Sequence, residues 1–328
     1  PPPPPPLFQA EDGIRDTRIG LVGSEMCIRD SRYGVYLVST SHDDAALVDN
    51  RVHGMSSNGV DLAGPGARII GGVYFDNSYG MYLTGSDSLV QGIEAFGNSQ
   101  YGVYVNGAGS EVLDSEVYDN AAGGINAGNN IRVAGNTVYG HRGSNDTGIL
   151  VSGADALAEN NVVYDNFNGL SANSDARAIG NRSYGNEVGI VAGAFAGRVL
   201  GNSVYSNNTG IYVAGYSTYD SLVQNNLVYG NFGKGLLVEN GSGHVIENNT
   251  IYEITGDAVS VQGTASNVTL RNNILSVADR YAIRVADTSQ VGFASDYNLF
   301  QIGSGAHLGL WAGSNFDDRA SWVYTLGF

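Results

Sequence analysis

The sequence predicts an all-β fold, a parallel β-helix solenoid of about 12 coils with three short strands in each. Three observations lead there. From Arg32 onward, a glycine opening an apolar triplet recurs every 20 to 25 residues, the kind of period that marks stacked structural repeats. Within one period, "TGIYVAGYSTYDSLVQNNLVYGNF" holds three alternating stretches and lacks the spacing of three and four that would build an apolar helix face. Gly is 47 of 328 residues while the chain after Arg32 contains one proline, Pro65, so it turns often without the residue that interrupts strand ladders.

The first strand of each coil starts at Gly34, Gly59, Gly80, Gly102, Gly124, Gly148, Gly169, Gly189, Gly210 and Gly235, with Ala258 and Ala282 in the same place further on. Alternation then points Val35, Val60, Met81, Val103, Ile125, Ile149, Leu170, Ile190, Ile211 and Leu236 inward. A second strand ("SLVQ") and a third ("LVYG") follow, the third pointing Val117, Val138, Val163, Val204, Val228 and Ile251 inward, with Ser183 as a polar exception. Between the second and third strands lie Asn50, Asn136, Asn161, Asn181, Asn202, Asn226, Asn249 and Asn273. Asn77, Asn98, Asn120, Asn166, Asn186, Asn207 and Asn231 close the third strand. Asparagine tolerates a left-handed backbone and its amide can bond the amide of the next coil, so both rows read as structural ladders, even where Asn181 and Asn207 spell a glycosylation triplet. Phe75, Phe96, Tyr118, Tyr139, Tyr164, Tyr184, Tyr205, Tyr229 and Tyr252 form an outer stripe on the third strand, expected to stack coil on coil. Leucine-rich repeats share the period but need a leucine scaffold that is missing here.

The repeat V-x-x-N-x-V-Y-x-N-x-x-x-G-I-x-V resembles the right-handed, single-stranded parallel β-helix repeats of the pectate-lyase-like superfamily, over Arg32 to about Leu299. That resemblance implies the fold firmly and the activity loosely, because the superfamily includes lyases, hydrolases, epimerases, adhesins and inert surface modules. Ser295 to Trp322 is similar to the terminal segment of β-helix modules in large secreted bacterial proteins, and residues 300–328 read as a C-terminal segment cut at Phe328. Pro1 to Ser31 share no pattern with the repeats. "QAEDGIRD" and "LVGSEMCIRDS" read back codon by codon as sequencing-library adapter text, so residues 1–31 are set aside as an artefactual or disordered leader.

Charge and composition narrow the chemistry. The sole cysteine, Cys27, falls in the leader, which leaves the repeats without thiol chemistry, and a formal charge of −16 disfavours nucleic acid and anionic lipid as partners. No stretch approaches the length of a membrane span. No cofactor or metal site is indicated, and Ca²⁺ finds no clear carboxylate cluster; polysaccharide as partner is what the resemblance implies. An extracellular or cell-surface location, within a larger multidomain chain, is what the resemblance implies.

Superfamily members that process polysaccharide use outward side chains along a strand face. Here the outward first-strand row opens with Tyr36, Asp61, Tyr82, Tyr104 and Asn126, which suit sugar rings on tyrosine and hydroxyls on Asp61 and Asn126. Proton abstraction beside a uronate carboxylate requires a base and a neutralising cation. On this row only Asp61 and Arg284 are charged, with nine coils between them, so no catalytic cluster is read there. Loops offer His141, Arg142 and Asp146 as the best catalytic candidates, then His42, Asp43 and Asp44, then Lys234, Glu239 and His244. The expected function is a polysaccharide-binding or display module without chemistry of its own; the alternatives are a lyase or epimerase acting on uronate chains, and a non-catalytic adhesin or scaffold.

Overall fold

A computed structural model describes residues 20–22, 25–26, 32–37, 44–193, 196–216 and 219–327. The chain winds as a right-handed parallel β-solenoid of about 12 turns. Second strands make a 13-stranded sheet in which each strand pairs with the one a winding later. First and third strands form separate stacks until the last windings. There Ile274–Val285 and Leu299–Trp311 run straight through both positions and fuse the two stacks into one 25-stranded sheet. At the position where the preceding coil carries the rung Glu253, "ILSVADRYAIRV" places Val277, which has no side chain able to accept from that rung's neighbours.

Through the middle windings the register holds, with Ile149↔Leu170↔Ile190↔Ile211 in the first-strand stack and Val138↔Val163↔Ser183↔Val204 in the third; between the last two long strands it shifts between Val277 and Asp279. Every inward residue expected from the alternation is buried. Ser183 is accommodated because its hydroxyl donates to the Gly189 carbonyl at 2.7 Å and accepts from Asn186 Nδ2 at 3.1 Å, so its polarity is satisfied within its own coil.

Both asparagine rows are ladders. Where one asparagine follows another, its Oδ1 accepts from the backbone N–H and the Nδ2 of the asparagine one winding earlier, as Asn181 does from Asn161 at 2.9 and 3.0 Å; Asn77 and Asn136, which begin unbroken runs, accept the backbone N–H of Met55 and Ser115 instead. The left-handed residue is not the ladder asparagine itself but its predecessor: Asn160, Gly180, Gly201, Asn225, Asn248 and Asn272 all have positive φ. This division of labour leaves the rung in ordinary backbone with its amide turned inward. Asn181 and Asn207 are buried with their amides engaged, which argues against either as a glycan acceptor.

The glycine row has a steric cause. A Cβ on Gly169 would lie 2.5 Å from the Gly189 carbonyl oxygen and 2.8 Å from Asn186 Nδ2, both fixed by the ladder. Gly169→Ala should therefore destabilise by about 2 kcal/mol, the ordinary cost of overpacking. Urea denaturation followed by circular dichroism would measure it, and a loss below about 0.5 kcal/mol would refute the clash.

Within the stretch set aside as a leader, Gly20–Val22 pairs in parallel with Ala46–Val48, and Glu25–Met26 with Arg51 and Val52. An open sheet edge offers unpaired backbone groups to any extended segment, whatever its side chains. At the other end the chain leaves the repeat. Ser314–Phe316 folds back antiparallel on the strand ending at Trp311, and a helix, Arg319–Leu326, follows. Asp318 caps that helix by accepting from the Ser321 N–H, and its buried Trp322 stands edge-on to Phe316 and Trp311.

Candidate functional site

Two groups of side chains occupy the outward face of the first-strand stack. At one end, Tyr36, Asp61, Tyr82, Tyr104 and Asn126 are register neighbours, one per winding, as expected. The structure adds a second row that the sequence reading passed over, made by the residue just before each row glycine: Asn58, Tyr79 and Tyr101. Tyr82 and Tyr104 stack at 4.7 Å and 5°, Tyr79 and Tyr101 at 6.3 Å and 22°, and Tyr79 stands edge-on to both Tyr82 and Tyr104. Tyr101 leans over Gly123, where a Cβ would meet its ring at 2.8 Å. Asn58 Nδ2 donates to Asp61 at 2.9 Å; burial pushes the Asp61 carboxyl up and this hydrogen bond partly opposes it.

Within this block the rings turn faces toward one another, so what reaches solvent is chiefly edges and phenol hydroxyls. One face of Tyr104 looks toward Asn126 and one face of Tyr82 toward Asp61, neighbours too small to cover a ring. A sugar would find stacking surface at the margins of the block and hydrogen-bonding groups across it.

The second group lies at the far end and corrects the expectation that acid and cation stay apart on this face. Asp257, one residue before Ala258, brings its carboxylate to Arg284 at 3.7 Å. Ser260 Oγ donates to it at 2.8 Å and the Tyr281 N–H at 3.3 Å. Asp257 is buried while Arg284 remains half exposed, so the acid works as an anchor that aims the guanidinium outward. Tyr281 stacks on His307 at 5.3 Å, and the Arg284 guanidinium lies 5.9 Å from the Tyr281 ring centre. His307 Nδ1 bonds Asp317 at 2.5 Å, leaving Nε2 to accept from Asn315 Nδ2 at 3.3 Å; the Tyr281 hydroxyl donates to Asn315 Oδ1 at 3.1 Å. Next to this set, Glu239 accepts from the Tyr212 hydroxyl at 2.7 Å and from Gln262 at 2.9 Å, which with Lys234 nearby holds its carboxyl low.

The loop candidates fare differently. His141 is fully buried and is a rung of the ladder, between Asn120 and Asn166. Asn166 Oδ1 can only accept, so His141 Nδ1 carries the proton, and Nε2 accepts from Asn120 Nδ2. Burial pushes its pKa down to about 4. With both ring nitrogens occupied and no path to solvent, His141 is poorly placed as a surface base. Arg142 pairs instead with Asp165 at 3.1 Å, and Asp146 closes a turn through its N–H to Gly143, its carboxyl raised by burial. His244 is also buried, accepting from the Ser221 N–H at Nδ1 and donating through Nε2 to the Asn240 carbonyl. It is thereby separated from Glu239 and Lys234. Asp44 is exposed; His42 and Asp43 lie outside the described residues. Among the described residues, no three His, Cys, Asp or Glu come together in a way that could hold a metal ion, and no helix is long and apolar enough to cross a membrane.

A family model for the right-handed β-helix region matches residues 23–156, 79–221 and 142–297. No curated protein matches. Among solved structures, the chain is similar to the A-module of mannuronan C-5 epimerase AlgE4 from Azotobacter vinelandii, with 17% identity, a TM-score of 0.56, and coverage of 80% of this chain and 90% of that one. The AlgE6 A-module from the same organism gives 18% identity and a TM-score of 0.48 with 88% of each chain covered, and pectate lyase Pel9A gives 13% and 0.39 with 93% and 73% covered. Identities this low speak to the shared winding and leave the side-chain chemistry to be argued from this chain.

Proposed function

The chain belongs to the right-handed β-helix family, and from that premise we propose that its first-strand face binds a polysaccharide laid along the solenoid axis, outside the cytoplasm or at the cell surface. The carrying observation is the tyrosine block, Tyr79, Tyr82, Tyr101 and Tyr104, set between Asp61 and Asn126 on a face built of successive parallel strands. A repeating ligand suits a repeating surface. Windings recur at about 4.8 Å, so successive side chains meet successive parts of one extended chain. The solenoid resembles a module whose name links it to mannuronan, which supports polysaccharide as the ligand class.

A second reading rests on the far cluster: a lyase or epimerase acting on uronate-containing chains. Arg284, aimed by Asp257, has the charge to neutralise a uronate carboxylate, and that lowers the barrier to removing the adjacent carbon-bound proton. Tyr281 and His307 supply groups able to take and return protons on the same face, with Asp317 fixing the imidazole.

Affinity electrophoresis against a panel of neutral and uronic-acid polysaccharides, with ultraviolet absorbance followed in parallel for elimination and uptake of deuterium from heavy water into the polysaccharide for epimerisation, separates these readings. Retardation without new absorbance or deuterium uptake is the expected result. The double variant Tyr82→Ala, Tyr104→Ala should bind about tenfold more weakly, since two lost aromatic contacts are worth about 1.4 kcal/mol. Because the protein carries a formal charge of −16, any binding of acidic chains should strengthen as salt screens the repulsion. Growth of absorbance from unsaturated products, or deuterium uptake without it, abolished by Arg284→Ala, would establish the second reading. Absence of retardation, absorbance and deuterium uptake would reject both.

A further inference from the structure

The third-strand stripe lies apart from the first-strand face and is the most regular surface on the molecule. From Phe75 to Tyr229 each ring stacks on the next at 4.8 to 5.2 Å with interplanar angles of 6° to 14°. His53 extends the stack one winding further, at 4.5 Å from Phe75. Beside it, on the first residue of each third strand, runs the row Arg51, Val73, Glu94, Glu116, Thr137, Val162 and Arg182.

Two members of that second row show what the stripe attracts. The Arg51 guanidinium lies 4.6 Å from the Phe75 ring centre and that of Arg182 lies 5.1 Å from Tyr184. Both are flat cations held against aromatic rings. Between them the pattern inverts. From Phe96 to Tyr164 the neighbouring row supplies two carboxylates and two uncharged residues. Tyr118 donates to Glu94 at 2.6 Å and Tyr139 to Glu116 at 3.0 Å, which pins the acids against the rings through one oxygen each. The ring faces in this interval are taken up by one another, so it presents a flat ribbon of ring edges flanked by negative charge, and its own row contributes no cation to offset that charge.

The geometry points to the stripe between Phe96 and Tyr164 as a binding site for elongated planar aromatic cations. Four rings at the winding repeat offer a track of roughly 15 Å, long enough for two or three fused or linked rings lying along the solenoid axis. Glu94 and Glu116 set the sign of the ligand, and the flat ribbon of ring edges sets its shape.

A fluorescence titration of the full chain with thioflavin T, a planar benzothiazolium cation, at low ionic strength tests the assignment. Saturable enhancement is expected. Glu94→Gln with Glu116→Gln leaves every ring in place and should weaken binding about fivefold while flattening its salt dependence. Tyr118→Leu with Tyr139→Leu should weaken it about tenfold or more. The matched pair Tyr82→Leu and Tyr104→Leu, on the other face, should change affinity by less than about twofold, with circular dichroism and melting confirming the fold of each variant. Absence of saturable binding, indifference to the carboxylate pair, or an equal loss in the Tyr82 and Tyr104 variant would each overturn the site.

Discussion

Replacing Asn181 with alanine should lower the apparent unfolding free energy by about 4 kcal/mol, far more than a surface asparagine would cost. The Asn181 side chain accepts the Asn161 backbone N–H at 2.9 Å and Asn161 Nδ2 at 3.0 Å, and donates to the Ala158 carbonyl at 2.9 Å and to Asn202 at 3.0 Å. Alanine leaves an N–H, an amide hydrogen and a carbonyl oxygen without partners in a region closed to water. Each buried orphan costs about 1 to 3 kcal/mol, and partial rearrangement of Asn161 recovers some of it. A solenoid transmits stability only between adjacent windings, so the damage should be local before it is global. Hydrogen exchange should show amides between about residues 158 and 202 losing protection first, ahead of both ends. A loss under about 1 kcal/mol in urea titrations, or a uniform loss of protection, would mean that the ladder follows the stacking of coils and does not sustain it.

The same ladder shows how far a repeat can be read without coordinates. Rungs of identical type, such as Asn186, Asn207 and Asn231, announce themselves by recurrence. His141 does not, because histidine carries other chemical associations. Yet it stands 21 residues after Asn120 and 25 before Asn166, the step of a rung, and its δ nitrogen donates where an asparagine amide would. Glu253 continues the row after Asn231 by the same logic, accepting the Asn231 N–H at 2.6 Å and its Nδ2 at 2.8 Å. The far cluster was harder to see. Arg284 lies on the outward row, but its partner Asp257 opens the strand of the winding before, three residues ahead of Ser260, the register neighbour of Arg284, so the pair follows no row of the repeat. The terminal helix obeys no repeat at all. Trp322, Phe316 and Trp311 meet through a reversal of the chain, a contact that no periodicity encodes.

Those two irregular rungs give the protein opposing responses to pH. Burial raises Glu253 from 4.5 to about 7, so between these values the folded chain holds a proton that the unfolded chain has released. The associated stability is complete below about pH 4.5 and falls as pH rises toward 7. Burial lowers His141 from 6.5 to about 4, so here the unfolded chain binds the extra proton; its contribution is complete above about pH 6.5 and falls as pH drops toward 4. Each shift corresponds to about 3 kcal/mol across its window, and from about pH 4.5 to 6.5 the two slopes have opposite sign and nearly cancel. Removing one should therefore uncover the other. Glu253 meets the two Asn231 donors with one oxygen each; Glu253→Gln has to turn its single oxygen to both, as the asparagine rungs do, and with that arrangement should gain up to about 3 kcal/mol at pH 8 while its stability climbs between pH 4 and 6.5. His244, lowered in the same direction by burial, adds to that climb. His141→Asn restores the common rung and should show the reverse, greatest stability near pH 4.5 and a decline toward pH 7. Melting temperatures of the three proteins from pH 4 to 8 would decide the matter: parallel profiles would mean that neither rung titrates within the folded ladder, whereas profiles that diverge in opposite directions would show two buried groups holding the solenoid level against acid and base.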